Sequence, residues 1–285
     1  MISISEFLVN KKINKKIDQN KYEYHPTSKK ELQNIICTMI SNEEYDLNVI
    51  DVSQISDMSY LFFNTISFEN LSKEDTLKIK LDEWDVSNVV NMTGMFRRLK
   101  HFNSDITNWN VSKVMNMDEM FCDCEEFNQD IGNWDVSNVY KCDLMFSKCY
   151  AFNQDLSRWN LGSCSNCNEM FSDCILYNKP IPSNIKAFYF TNMFARCHMF
   201  NQDVSNIDIK NTTRLSGVFK QCTKFEGKGL DKWNVSKIDN TNNLFMSCIS
   251  LNPVNIENWN LNDNINNENM FYRCYVKNRP TWYKK

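Results

Sequence analysis

The chain has 285 residues, 42% of them hydrophobic and 13% aromatic, enough for a large buried core and too many for a disordered chain. Its formal charge of −3 leaves no basic footprint for nucleic acid, and no stretch approaches the roughly 18 apolar residues of a membrane span. Only 6 Gly and 5 Pro are present, so Asn, which tolerates left-handed backbone, carries much of the turn chemistry.

Taken from the start, the first 24 residues place Glu6 early and their lysines after the apolar residues, which is not the layout of a secretory signal. Together with 12 cysteines this points to reduced thiols and an intracellular setting, a host cytoplasm or a virion if the source is viral. Sequons at Asn91, Asn110, Asn211 and Asn234 would matter only after export. Next, Ser28-Lys29-Lys30-Glu31 has the form of a capping box, and Leu32, Ile35, Ile36, Met39 and Ile40 follow at helical spacing. This predicts an amphipathic helix over 28–41 that covers one end of whatever follows. Residues 1–49 therefore read as an extension and a cap.

From residue 50 the chain repeats itself. Trp84, Trp109, Trp134 and Trp159 are 25 residues apart, and Trp233 and Trp259 are 26 apart. Counting each Trp as position 0, a Phe falls at +12 in nine units: Phe62, Phe96, Phe121, Phe146, Phe171, Phe194, Phe219, Phe245 and Phe271. Ile50, Pro182 and Ile207 fill the Trp position in units one, six and seven. Aliphatics recur at +2 (Val86, Val111, Val136), aromatics at +18 (Phe102, Phe127, Phe152) and Asn at +19 (Asn103, Asn128, Asn153). A unit this short cannot bury its own apolar face, so the units must stack into a solenoid over 50–274, with Trp282 and Tyr283 in 275–285 closing its far end. Alternation around Trp-x-Val predicts one short parallel strand per unit, and apolar spacings of three and four after it predict a helical or 3-10 arc, an α/β unit. The Asn column is expected to face inward and bond turns on successive coils.

The cysteines sort with the repeat. Cys124, Cys149, Cys174, Cys197, Cys222, Cys248 and Cys274 all fall at +15. Cys142 and Cys167 take the +8 place of Met58, Met92 and Met117, and Cys164 takes the +5 place of Val89, Val114 and Val139. Free Cys behaves as a small buried hydrophobe, so these read as core columns, with neither a disulfide ladder nor a metal site expected. A thiol redox or metal protein built on Cys164 and Cys167 stands as an alternative.

Segments such as "WDVSNVVNMTGMF" and "FNQDIGNWDVSNV" resemble the repeats of the bacterial-surface-protein-A-like leucine-rich-repeat family, in the branch first described in mycoplasmas as a domain of unknown function. The resemblance covers about residues 50–275. It implies a right-handed leucine-rich-repeat-like solenoid that binds other macromolecules. In bacteria such proteins are mostly surface lipoproteins or adhesins, and an extracellular adhesin is the second reading. The Asn- and Lys-rich, cysteine-rich chain looks more like members from giant DNA viruses.

The three histidines have no metal-ligand spacing, and no nucleophile elbow, phosphate-cradling loop or zinc-protease helix occurs, so no catalytic residue, cofactor or metal is expected and the chain reads as non-enzymatic. The expected partner is a protein. Candidate contacts lie where the repeat is irregular or charged. One is the insertion 66–83. A second is unit six, where Phe188 and Tyr189 follow Pro180 and Pro182 in a unit shortened to a 23-residue interval. Arg97 and Arg98 could meet an acidic partner, or form a solvated basic turn. Asp85 and Asp135, beside the Trp column, could form an outward ligand-reading ridge, or a solvated strand face.

Overall fold

The computed structural model describes residues 21–63, 68, 71–186, 188–275 and 280–283. Parts of the extension, the insertion and the C-terminal segment lie outside them, namely residues 1–20, 66, 67, 69, 70, 276–279, 284 and 285.

Helix α1, Lys29–Ser41, forms where the apolar spacing places it. Ser28 caps it by accepting the Glu31 N–H at 3.3 Å, while the Glu31 carboxylate accepts the N–H of Thr27 at 3.0 Å. Leu32, Ile35, Ile36, Met39 and Ile40 are buried. Lys29 reaches Asp57 and Ser59, and Gln33 donates to the Leu61 carbonyl, so α1 seats on the first coil. The 66–83 insertion holds α2, Lys73–Lys78, capped by Ser72. Among the described residues, three 3-10 turns accompany these helices: Leu47–Val49, Leu230–Lys232 and Pro253–Ile256.

The coils stack as a solenoid around aromatic columns. The +12 Phe rings form an unbroken stack from Phe62 to Phe271, with centroids 5.2 to 6.0 Å apart. Every indole also works as a spacer. Trp84, Trp109, Trp134, Trp159, Trp233, Trp259 and Trp282 each donate Nε1–H to the carbonyl three residues before the previous unit's Trp position. Trp282, expected as part of a cap, continues this column and stacks on Trp259. At +19, the side-chain oxygens of Asn103, Asn128, Asn153, Asn178 and Asn201 accept the backbone N–H of the next coil's residue, as Asn103 does from Asn128 at 2.9 Å. These Asn are half-buried and edge the core.

The units differ from the expected strand and arc. Among the described residues no strand forms at Trp-x-Val; the cross-coil pairing of the repeats is a column of single parallel bridges at +7, joined at +1 by one further bridge between Asn160 and Ser183. Nor is there a helix between +8 and +15. The +10 residue in all nine units, and the +14 residue in eight, has φ between 53° and 65°. Two left-handed residues four apart cannot belong to a right-handed helix. The amides show what is gained. Met117, Glu119, Phe121 and Asp123 donate to Lys141, Asp143, Met145 and Ser147 on the next coil. Met120, Cys122 and Cys124 donate three residues back. The arc is a strip of tight turns that sends every second N–H along the solenoid axis, where each bond contributes about 1 kcal/mol. Apolar spacings of three and four suit such a strip as well as they suit a helix.

Candidate functional site

The +7 bridges run Asp57, Asn91, Asn116, Lys141, Asn166, Tyr189 and then Arg214, Asn240, Asn266. Among the described residues, the boundary between units six and seven is the one without a bridge. The backbone bonds that flank the bridge elsewhere, such as Cys167 N–H to Tyr189 O at 3.0 Å and Phe188 N–H to Ser165 O at 2.9 Å, have no counterpart between Phe188–Phe190 and Thr213–Arg214. The coils are still joined behind this gap, because Asn192 donates to Ser216 and Phe194 to Val218.

Local sequence explains the opening. Unit six is shortened, and unit seven has Ile207 where an indole would donate back to unit six, so no indole spaces this boundary. Unit seven carries Thr212 at +5, an aliphatic place in the first four units. The buried Thr212 hydroxyl donates to the Arg214 carbonyl at 3.0 Å and accepts the Arg214 N–H at 3.2 Å. Arg214 thereby turns its backbone onto its own loop instead of its neighbour.

The result is a cleft of about 530 Å³ lined by Asn168, Glu169, Phe188, Tyr189, Thr191, Asn211, Thr213 and Arg214. Phe188 and Tyr189 are 52% and 56% exposed, although both are large apolar rings. Among the described residues the Arg214 guanidinium has no carboxylate within ion-pair distance. Leading up to the cleft, the +6 residues Val90, Met115, Tyr140, Ser165 and Phe188 are joined coil to coil by backbone bonds, and all but Ser165 are exposed apolar side chains.

The sequence places Phe188 and Tyr189 at an irregular unit, and both line the cleft. Arg97, Arg98, Asp85 and Asp135 do not. Arg97 is ion-paired to Glu119, and both arginines lie over the Phe63 ring, at 5.2 and 5.6 Å from its centroid. With Lys100 on Glu125 and His101 on Glu126, the acidic row of the next coil meets this basic turn. Asp85 and Asp135 accept the N–H of Ser87 and Ser137 at 3.0 Å, which closes a local turn. Sequence reasoning missed Arg214, Glu169 and Thr212; the polar residue in an apolar column was the available signal.

Ten of the twelve cysteines fall into two sets, with Cys37 and Cys122 outside both. Each +15 thiol donates to the carbonyl of the preceding unit's Phe, as Cys149 does to Phe121 at 3.1 Å and Cys222 to Phe194 at 2.9 Å. A small side chain with one weak donor suits a buried carbonyl there. Burial pushes these thiols up, and Cys124, Cys149, Cys174, Cys222 and Cys248 are raised well above the ordinary thiol range. The second set corrects the reading that Cys164 and Cys167 are separate core columns without convergence. Cys142, Cys164 and Cys167 meet in one buried triangle, with sulfurs 2.9, 3.6 and 3.6 Å apart. Positions +5 and +8 of adjacent coils face each other across the interior, so two columns close on one point.

A repeat of this period, with these columns, matches the family model described as "Mycoplasma protein of unknown function, DUF285" over residues 30–80, 70–185 and 186–282. The chain belongs to this family. No curated protein matches the chain. Among solved structures it is similar to the one titled "Crystal structure of TLR13-ssRNA13 complex", at 13% identity and a TM-score of 0.23, over 79% of this chain and 40% of that one. At that score the likeness carries no argument. The family matches run across both the regular coils and the cleft, so units six and seven are repeats of the same kind. No helix among the described residues is long and apolar enough to cross a membrane.

Proposed function

We propose that this family member is a non-enzymatic scaffold that binds a protein partner at the cleft between units six and seven, by accepting an extended peptide segment. The observation that carries the reading is the missing bridge. An opened coil boundary flanked by Phe188, Tyr189 and Arg214 offers backbone groups, two exposed rings and a cation without an ion-pair partner among the described residues. A segment laid along this edge would bond the backbone near Phe188 and Thr213, rest its apolar side chains on the two rings and set a carboxylate against Arg214. The exposed +6 row extends the same face away from the cleft. The reading includes a right-handed, leucine-rich-repeat-like coil, and a reducing intracellular setting or a giant-virus particle. The ten buried cysteines, none of them in a disulfide, support that setting.

The test is selection of a displayed random peptide library on the folded full chain, followed by affinity measurement with the selected peptides. The expected peptides share an acidic residue beside apolar ones. Their binding falls at least tenfold with Arg214→Glu and with Phe188→Ser/Tyr189→Ser, and is unchanged with Lys113→Glu, which lies away from the cleft. No enriched sequence, or equal binding to the cleft variants, would overturn the reading.

A further inference from the structure

The buried thiol triangle is independent of the cleft reading. Eighteen positions make up the +5 and +8 columns of nine units, and cysteine occupies three of them. Those three are the ones that touch: Cys142 from unit four, and Cys164 and Cys167 from unit five. Elsewhere the same triangle is filled by Met92, Val114 and Met117, so the fold does not need sulfhydryls here. The +15 thiols are different, since each has a carbonyl to serve. Beyond each other, the hydrogen-bonding partner of the triangle's thiols among the described residues is the Asn166 carbonyl, at 3.2 Å from the sulfurs of Cys142 and Cys164.

The geometry points to a metal site: Cys142, Cys164 and Cys167 form a three-sulfur centre for a thiophilic d¹⁰ ion, and their donor set suits Cu(I). A triangle with these sides has its centre about 2.0 Å from each sulfur, within about 0.3 Å of a zinc–thiolate bond of about 2.3 Å. Slight expansion therefore suffices. Thiolate ligands select Cu(I), Zn(II) or iron–sulfur clusters. Structural zinc is almost always four-coordinate, and among the described residues no fourth side chain joins this cluster. Three soft donors in an apolar core match a cuprous ion. Thiol protons leave to solvent as the ion binds, and no oxidation state changes.

The experiment loads the full chain with Cu(I), or in a separate arm with Zn(II), under anaerobic reducing conditions. Metal is then counted by native mass spectrometry after chelator challenge, and the coordination is read by X-ray absorption. One cuprous ion per chain with three sulfur neighbours is expected. Cys142→Met/Cys164→Val/Cys167→Met, built from residues that fill these columns in other units, should bind at least tenfold more weakly. Cys149→Ala and Cys222→Ala should bind as the parent does. Cys164→Val alone removes one ligand with least change to the core, so the assignment remains testable if the triple variant fails to fold. The assignment is overturned by no retained ion, by undiminished binding in the folded variants, by zinc retained in place of copper, or by nothing more than a Cys142–Cys164 disulfide.

Discussion

Units two to five and units six to seven are built from the same repeat and end in different states. In units two to five, Trp84, Trp109, Trp134 and Trp159 stack 6.3 to 6.5 Å apart, and every boundary carries a +7 bridge. In units six and seven, Pro182 and Ile207 replace the indoles and the bridge between them is lost. The Phe column runs through both, with Phe194 and Phe219 parallel within 1° and 5.9 Å apart. The comparison separates two tasks. Ring stacking holds coils together, while bridge bonds hold them shut. A coil can lose the second without the first, and that yields an opening inside a stable stack.

The largest test of this division is Phe146→Ala in the regular region, expected to cost about 3–5 kcal/mol in denaturant unfolding as a cavity opens in the stack. Phe188→Ala at the cleft should stay within about 0.5 kcal/mol, since that ring is exposed. Equal losses would mean that both regions are held by the same contacts. Next comes Trp134→Phe, which keeps a ring but removes the Nε1–H bond to the buried Ile106 carbonyl. A loss of about 1–3 kcal/mol is expected from an unsatisfied acceptor, and faster amide exchange across that boundary would show the coils loosening as units six and seven do.

A smaller effect concerns charge. Asp118 is pushed up to about 6, first by burial and also by Asp143 on the next coil, whose carboxyl is raised by its own burial. A carboxyl raised in the folded state favours the fold when protonated. Its ionisation therefore destabilises the protein above about pH 6, and this penalty fades as pH falls toward the ordinary carboxylate range near 3.8. Asp118→Asn keeps the side-chain oxygen that accepts the Asp143 N–H at 2.8 Å. It should raise the melting temperature at pH 7.5 and leave it unchanged near pH 4. A gain independent of pH would assign the effect to something other than charge.

How much of this was legible follows from what the columns record. The Trp, Phe and Asn columns give period, stacking and core at once, because each holds a residue type with one use. The arc was not legible as turns. Leu144 and Lys148 give no sign of left-handed backbone, and the hydrogen bonds that favour it come from the next coil. Phe188 and Tyr189 stood out through the shortened unit, whereas Arg214 sits in an ordinary position and matters only because Thr212 redirects its backbone. The thiol triangle was hidden because sequence distance along one coil says nothing about which columns of adjacent coils face each other.

Native-state hydrogen exchange on the full chain measures the open boundary directly. The amide of Thr213 should exchange far faster than those of Tyr140 and Asp239, which donate to Met115 and Thr213 carbonyls across closed boundaries, and Phe190 should be less protected than its column neighbours Cys167 and Leu215. Protection of Thr213 and Phe190 equal to those amides would mean that the coils are zipped there, and both the cleft and its proposed occupant would fall.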